Sequence, residues 1–367
     1  MVGNFPEFRI PSSVETPAVC VDRDLMEANI RRMAEGLREQ QIAFRPHVKS
    51  HKSLVIARKQ LDAGAVGLTA ATLGEAEVFV GGGFRDIFIA YPIWFTDQKA
   101  GRLRALLESA RVAIGVSSVE GAENLAARVG KGPAVEVLIE VDSGEKRTGV
   151  TSPAMGVQVA NAAARSGLTV KGVFTHGGHS YAGGAAVQEA AEDESRVLAE
   201  VADALRAAGH HIEVQSAGST PTALRGAGTS VTEERPGTFV FGDRQQVAIG
   251  GHAAESVALY VACTVVEVRA GQFVLDAGAK VLTKDSPKTV EGFGALPEYP
   301  QATVTRLFDH DAVVSCTTGR LPKIGDRVAL IPNHVCPVSN LADEFVIVDS
   351  LGNIEDHWPI DARHRNR

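Results

Sequence analysis

The stretch Ile42-Ala43-Phe44-Arg45-Pro46-His47-Val48-Lys49-Ser50-His51-Lys52 joins a short apolar segment to five cationic or titratable side chains. In an extended strand, side chains alternate faces. Phe44, Pro46 and Val48 then share one face, and Arg45, His47 and Lys49 share the other. Two readings stay open on residue types alone. The polar face is a solvated edge, the usual state of Lys/Arg clusters, or it lines a site. A lysine amine forms a Schiff base with a carbonyl group, and cations at a strand end suit a phosphate. Spacing does not choose between Lys49 and Lys52.

Outward from this stretch, strand-like and helical segments alternate. Strand candidates are 65–69, 86–90, 112–116, 135–141, 168–175, 212–216 and 238–241. Ala/Leu/Glu-rich stretches at 73–80, 101–109, 119–129, 155–165 and 185–208 read as helices. With the Lys49 strand this makes eight alternations, which predict a closed (β/α)8 barrel. A doubly wound open sheet is the alternative. No Gly-x-Gly-x-x-Gly follows the first strand, so the dinucleotide-binding version of that sheet loses support. Barrel chemistry sits at the C-terminal ends of the strands. Lys49 ends the first strand, Arg147 follows the fifth, His176 and Tyr181 follow the sixth, and Ser219 and Thr220 follow the seventh. From about residue 250, short β-branched strands separated by Gly, Pro and Asp replace the alternation, and an all-β domain is expected there.

Composition narrows the function classes. The 367 residues carry 37 basic and 44 acidic side chains, a net charge of −7, which argues against a general nucleic-acid binder. No apolar run reaches the roughly 18 residues that span a membrane. The N-terminus lacks the basic start and apolar core of a signal peptide, so a cytoplasmic protein is expected. The four cysteines (Cys20, Cys263, Cys316 and Cys336) show no paired spacing and read as free thiols or ligands.

Five further segments carry chemistry-bearing residues. Ala217-Gly218-Ser219-Thr220-Pro221-Thr222 and Arg235-Pro236-Gly237-Thr238-Phe239-Val240-Phe241 are glycine-bearing stretches where barrels commonly build phosphate sites. Glu140–Gly149 ends a strand in a charged turn containing Arg147. Thr175-His176-Gly177-Gly178-His179-Ser180-Tyr181 sets two histidines and a tyrosine around paired glycines. Pro332-Asn333-His334-Val335-Cys336-Pro337 places His and Cys two apart. In an extended segment both face one side and suit Zn²⁺ or a similar borderline-soft ion. Two ligands make a weak metal signal, because structural zinc sites need four.

These segments together resemble the D-threonine aldolase and D-serine dehydratase family: fold-type III, pyridoxal-phosphate enzymes related to alanine racemase. Arg45-Pro46-His47-Val48-Lys49-Ser50 is similar to the family's Arg-Pro-His-Val-Lys-Thr. The two glycine-bearing stretches resemble its Gly-Ser-Thr-Pro-Thr and Arg-Pro-Gly-Thr-Tyr-Val-Phe motifs, with Phe239 where tyrosine is common. Asp276–Lys280 resembles a supporting stretch.

The resemblance implies that Lys49, not Lys52, holds pyridoxal 5'-phosphate (PLP) as an imine. It implies that Arg147 and Tyr181 lie at the cofactor and that His176 packs against its ring. Gly218, Ser219, Thr220, Gly237 and Thr238 would bind its phosphate, and His334 and Cys336 would bind a divalent metal (Zn, Mn or Mg). It also implies an alanine racemase-like layout, with a barrel over 24–250 and a β domain of 1–23 and 251–367, and a homodimer. The expected partner is a small D-amino acid, with no nucleic acid and no membrane. The expected reaction is a lyase reaction on D-3-hydroxy amino acids. Retro-aldol cleavage to glycine and an aldehyde is placed first. Dehydration to a 2-oxo acid and ammonia is a close second, since the dehydratase branch carries His-x-Cys and the aldolase branch often His-x-Asp. A racemase and a non-catalytic PLP-binding protein are further alternatives.

Overall fold

A computed structural model describes residues 4–130, 134–226 and 228–367. The chain forms two compact units. One comprises Met1–Arg32, Ser50–Val55 and Thr238–His364; the other comprises Met33–Lys49, Ile56–Gly237 and Arg365–Arg367.

The chain enters through strand β1 (Ala18–Asp22) and helix α1 (Arg23–Glu39). Then follow β2 (Ala43–Phe44), α2 (Leu54–Asp62), β3 (Leu68–Ala70), α3 (Leu73–Gly81), β4 (Asp86–Ile89), α4 (Asp97–Leu107), β5 (Arg111–Val116), α5 (Val119–Val129), β6 (Glu136–Glu140), α6 (Pro153–Arg165), β7 (Thr169–Phe174), α7 (Ala185–Ala207), β8 (Val214–Ala217) and β9 (Glu233–Glu234). Loops feeding the helices supply hydroxyl caps. Thr72, Thr96, Ser118 and Ser152 each accept an N–H from the first turn, and Pro153 follows Ser152 where a missing N–H does no harm.

Strands β2 to β9 pair in parallel in the order β2-β9-β8-β7-β6-β5-β4-β3. A bridge between His47 and Thr69, with the Val66 N–H donating to the Phe44 carbonyl at 2.8 Å, joins the two end strands. The barrel expectation holds. Phe88, Leu138 and Phe174 pack together with Ala90, Ala113 and Val214. Alternate residues of β4 to β8 thus point to one centre. At the strand starts Arg45 pairs with Asp86 and with Glu233, both at 2.6 Å, and Arg111 bridges Asp86 and Glu136.

Two local expectations fail. The eighth strand is Glu233–Glu234, not 238–241, where Thr238–Val240 forms a 3-10 turn. Pro236 brings no N–H for strand pairing, and Glu-Glu-Arg looks like a solvated turn although all three residues are buried. Lys49 does not lie on a strand either. Val48–Ser50 is a 3-10 turn, so the alternation of faces ends before it.

In the other unit β1 pairs antiparallel with β10 (Leu259–Arg269) and parallel with β15 (Glu344–Val348). The sheet is completed by β11 (Gln272–Leu275), β12 (Thr303–Leu307), β13 (Ala312–Ser315), β14 (Arg327–Leu330) and β16 (Ile354–Pro359). Short helices α8 (Arg244–Ala248), α9 (Ala279–Leu282) and α10 (Val335–Leu341) interrupt it. Among the described residues no helix is long and apolar enough to cross a membrane.

Candidate active site

The two lysines that spacing could not separate differ sharply. Lys49 is exposed on its turn. Lys52 is 4% exposed, sits at φ +54°, and donates from Nζ to Asn340 Oδ1 at 2.9 Å. An amine committed to a buried hydrogen bond is a poor nucleophile, so Lys49 is the reactive candidate.

The loop after β7 carries His176 and a 3-10 turn, Gly178–Ala182, with Tyr181. The His176 and Tyr181 rings lie 6.3 Å apart, tilted by 55°. Burial pushes the His176 pKa down to about 3, helped by the positive charges of Lys49, Arg147, Arg235 and His179. His176 is therefore a neutral ring within the electrostatic reach of Lys49 and Arg147. Those three expected site residues come together in one unit. Arg147 is exposed, in the loop after β6. The Glu140 carboxyl, at the end of β6, accepts the Thr148 hydroxyl at 2.8 Å, and its other oxygen meets no partner among the described residues.

The loop after β8 is more constrained than a glycine nest. Gly218, at φ +93°, donates its N–H to Glu194 at 3.1 Å, and the Ser219 N–H donates to Thr222 Oγ1 at 2.9 Å. Neither N–H is directed outward for an anion. Gly237 and Thr238 differ. Both are buried, and among the described residues their N–H groups donate to no protein acceptor. Buried N–H groups are almost always paired, so a partnerless pair suits an anionic ligand.

His334 and Cys336 are not on an extended segment. His334 caps α10 and Cys336 lies in its first turn, because Val335-Cys336-Pro337-Val338 turns into a helix once Asp243 accepts the Val335 N–H at 3.1 Å. The two side chains are nevertheless hydrogen-bonded. Burial opposes charge on His334, but the Cys336 charge and the hydrogen bonds to Asp285 and Cys336 outweigh it, and its pKa rises to about 11. Asp285 Oδ2 sits 2.7 Å from His334 Nδ1. Ser50 Oγ lies 3.2 Å from Cys336 Sγ. The residue types are a cysteine sulfur and a histidine ring with a supporting carboxylate, a donor set that fits a borderline-soft divalent ion once both are deprotonated. No group of three or more His, Cys, Asp or Glu that could hold a metal occurs among the described residues.

Residues 21–245 match the model for the alanine racemase N-terminal domain, and residues 258–348 match that for a putative serine dehydratase domain. D-threo-3-hydroxyaspartate dehydratase of Delftia sp. (strain HT23) is 35% identical over 94% of this chain and 96% of its own. The chain belongs to the alanine racemase-like family. The Delftia structure superposes with a TM-score of 0.88 over 95% of this chain and 97% of its own. Two further structures of that dehydratase are a His-to-Ala mutant and a Cys-to-Ala mutant in the metal-free form; their altered positions are two residues apart. D-threonine aldolase of Arthrobacter sp. is 33% identical over 96% of this chain and 94% of its own. The structure of D-threonine aldolase from Filomicrobium marinum superposes at a TM-score of 0.86, with 28% identity and 98% of each chain covered.

Within this alanine racemase-like chain, sequence reasoning passed over Glu194, Arg235, Asp243 and Asp285. Arg235 is buried, donates to Ser216 Oγ at 2.5 Å and to the Thr175 carbonyl, and lies over Phe174 at 5.5 Å. Glu194, Arg235 and Asp243 are charged residues whose burial nothing in the linear pattern marks, and Asp285 is an exposed one whose bond to His334 spans 49 positions. One signal was available for Asp243. An Asp just before the apolar-periodic start of a helix is an N-cap pattern, and it does cap α8.

Proposed function

We propose that the protein is a PLP- and metal-dependent lyase of D-3-hydroxy amino acids, with dehydration to a 2-oxo acid and ammonia as its main reaction. The observation that carries the reaction mode is the His334–Cys336 pair. Its two-residue spacing equals that of the two altered positions in the Delftia dehydratase, and it retains the thiolate donor of the dehydratase branch. Retro-aldol cleavage is the second reading, supported by the 33% identity with the Arthrobacter D-threonine aldolase.

The residues fit the cofactor that this family implies. Lys49 offers an exposed amine, Arg147 a permanent positive charge, and Gly237 and Thr238 two buried N–H groups with no described protein partner. Ser219 and Thr220 add hydroxyls on a loop with left-handed Gly218. PLP supplies an electron sink for negative charge at the amino acid Cα. Lys49 Nζ both anchors the cofactor and exchanges the proton at Cα. His176, held neutral, packs as an apolar ring and adds no positive charge beside Arg147. Tyr181 supplies a phenol on the same loop. His334 and Cys336 would hold a divalent ion, which would supply a Lewis acid for a hydroxyl leaving group.

The test is a product assay with D-serine, D-threonine and D-threo-3-hydroxyaspartate. Dehydration predicts a 2-oxo acid and ammonia in equal amounts from each substrate turned over. Glycine plus an aldehyde as the main products would move the assignment to the aldolase reading.

A further inference from the structure

Glu194 lies in α7 and is 2% exposed. One of its oxygens, Oε1, accepts two backbone N–H groups, from Gly177 at 2.7 Å and from Gly218 at 3.1 Å. These belong to different loops. Gly177 stands between His176 and the Tyr181 turn; Gly218 opens Ser219-Thr220. A third hydrogen bond comes from the Thr222 hydroxyl. Thr222 Oγ1 accepts the Ser219 N–H at 2.9 Å, so the Ser219 backbone is also tied, through one hydroxyl, to the same carboxylate.

The glycines answer to this arrangement. A Cβ on Gly177 would stand 2.8 Å from Glu194 Cδ. One on Gly218 would stand 1.6 Å from Glu234 Oε2. Glu234 is buried beside Glu194, and its Oε2 meets no partner among the described residues. Burial first, and the Glu194 charge next, push the Glu234 pKa well up. Glu234 is thus the more strongly raised of the two carboxyls. Burial raises the Glu194 carboxyl too, opposed by the hydrogen bonds it accepts and by the Arg235 charge.

We propose that Glu194 is a positioning residue: its carboxylate fixes the loop bearing His176 and Tyr181 and the loop bearing Ser219 and Thr220 in one mutual arrangement. The proposal rests on the reading of those two loops as the cofactor site. It is tested on the full chain with two variants of similar volume. Glu194→Met removes the acceptor; Glu194→Gln keeps an acceptor oxygen.

Amide hydrogen exchange at Gly177 and Gly218 reports the loops, and titration with PLP reports the site. In Glu194→Met both amides exchange about tenfold faster or more, and the PLP Kd rises about tenfold. In Glu194→Gln both stay close to the parent. The proposal is overturned if only one loop loosens, if neither does, or if Gln and Met behave alike. Should Glu194→Met not fold, Thr222→Val decides. It is expected to speed exchange at Ser219 while Gly177 stays protected, and unchanged protection at Ser219 overturns the relay. If the parent protein binds no PLP, the cofactor reading fails, while the exchange data still decide the role of Glu194.

Discussion

His176 is a base held without its proton. Its folded pKa of about 3 lies below the roughly 6.5 of an unfolded histidine. Between those values the unfolded chain binds a proton that the folded chain does not, so stability rises with pH in that window. The contribution of neutral His176 is full above about pH 6.5 and is lost as pH falls toward 3. Urea unfolding from pH 7 down to pH 4.5 is expected to weaken more steeply for the parent than for His176→Asn. Parallel curves would show that His176 is not held neutral. At the same scale, Asp285→Asn removes the carboxylate behind His334 Nδ1. Zinc affinity, measured by competition with a chromophoric chelator, is expected to fall about 10- to 100-fold. Unchanged affinity would mean that Asp285 does not support the ligand. The sequence marked His176, His334 and Cys336 by residue type. It left Lys49 and Lys52 unresolved, because burial and the Asn340 bond of Lys52 depend on residues almost three hundred positions away.

At the level of elements, the barrel was legible where apolar periodicity repeats. Strands β4 to β8 and their helices fall close to the expected spans, because β4 to β6 carry apolar runs and apolar helical stretches alternate with the strands. The eighth strand was not legible. Two glutamates occupy it, and Glu233 is tolerated inside because Arg45 and the Ser216 hydroxyl both donate to it. The turn of α10 was missed because Pro337 argues for extended chain, yet it sits within the first helical turn, where a missing N–H is harmless. Pairing of β7 with β8 requires Gly172. A Cβ there would stand 2.1 Å from the Val214 carbonyl oxygen. Gly172→Ala is expected to destabilise the protein by about 1–3 kcal/mol, read from urea unfolding. A midpoint equal to the parent's would show that the two strands can part freely.

For the whole molecule, the family follows from motifs spread over both units, which is why it could be read early. The reaction could not, because both proposed readings, dehydration and retro-aldol cleavage, would use the same cofactor and the same His334–Cys336 pair and differ in which bond at Cα or Cβ is broken. Chelation separates the lyase readings from a racemase. Removing the metal is expected to abolish lyase activity while the cofactor's visible absorbance persists. Full activity after metal removal would favour the racemase. In the proposed reading all of these reactions start from one bond between Lys49 and the cofactor. The most direct measurement is borohydride reduction of the PLP-loaded protein, followed by peptide mapping. The account predicts a phosphopyridoxyl label on Lys49 alone; a label on Lys52 or another lysine, or no label, would contradict it.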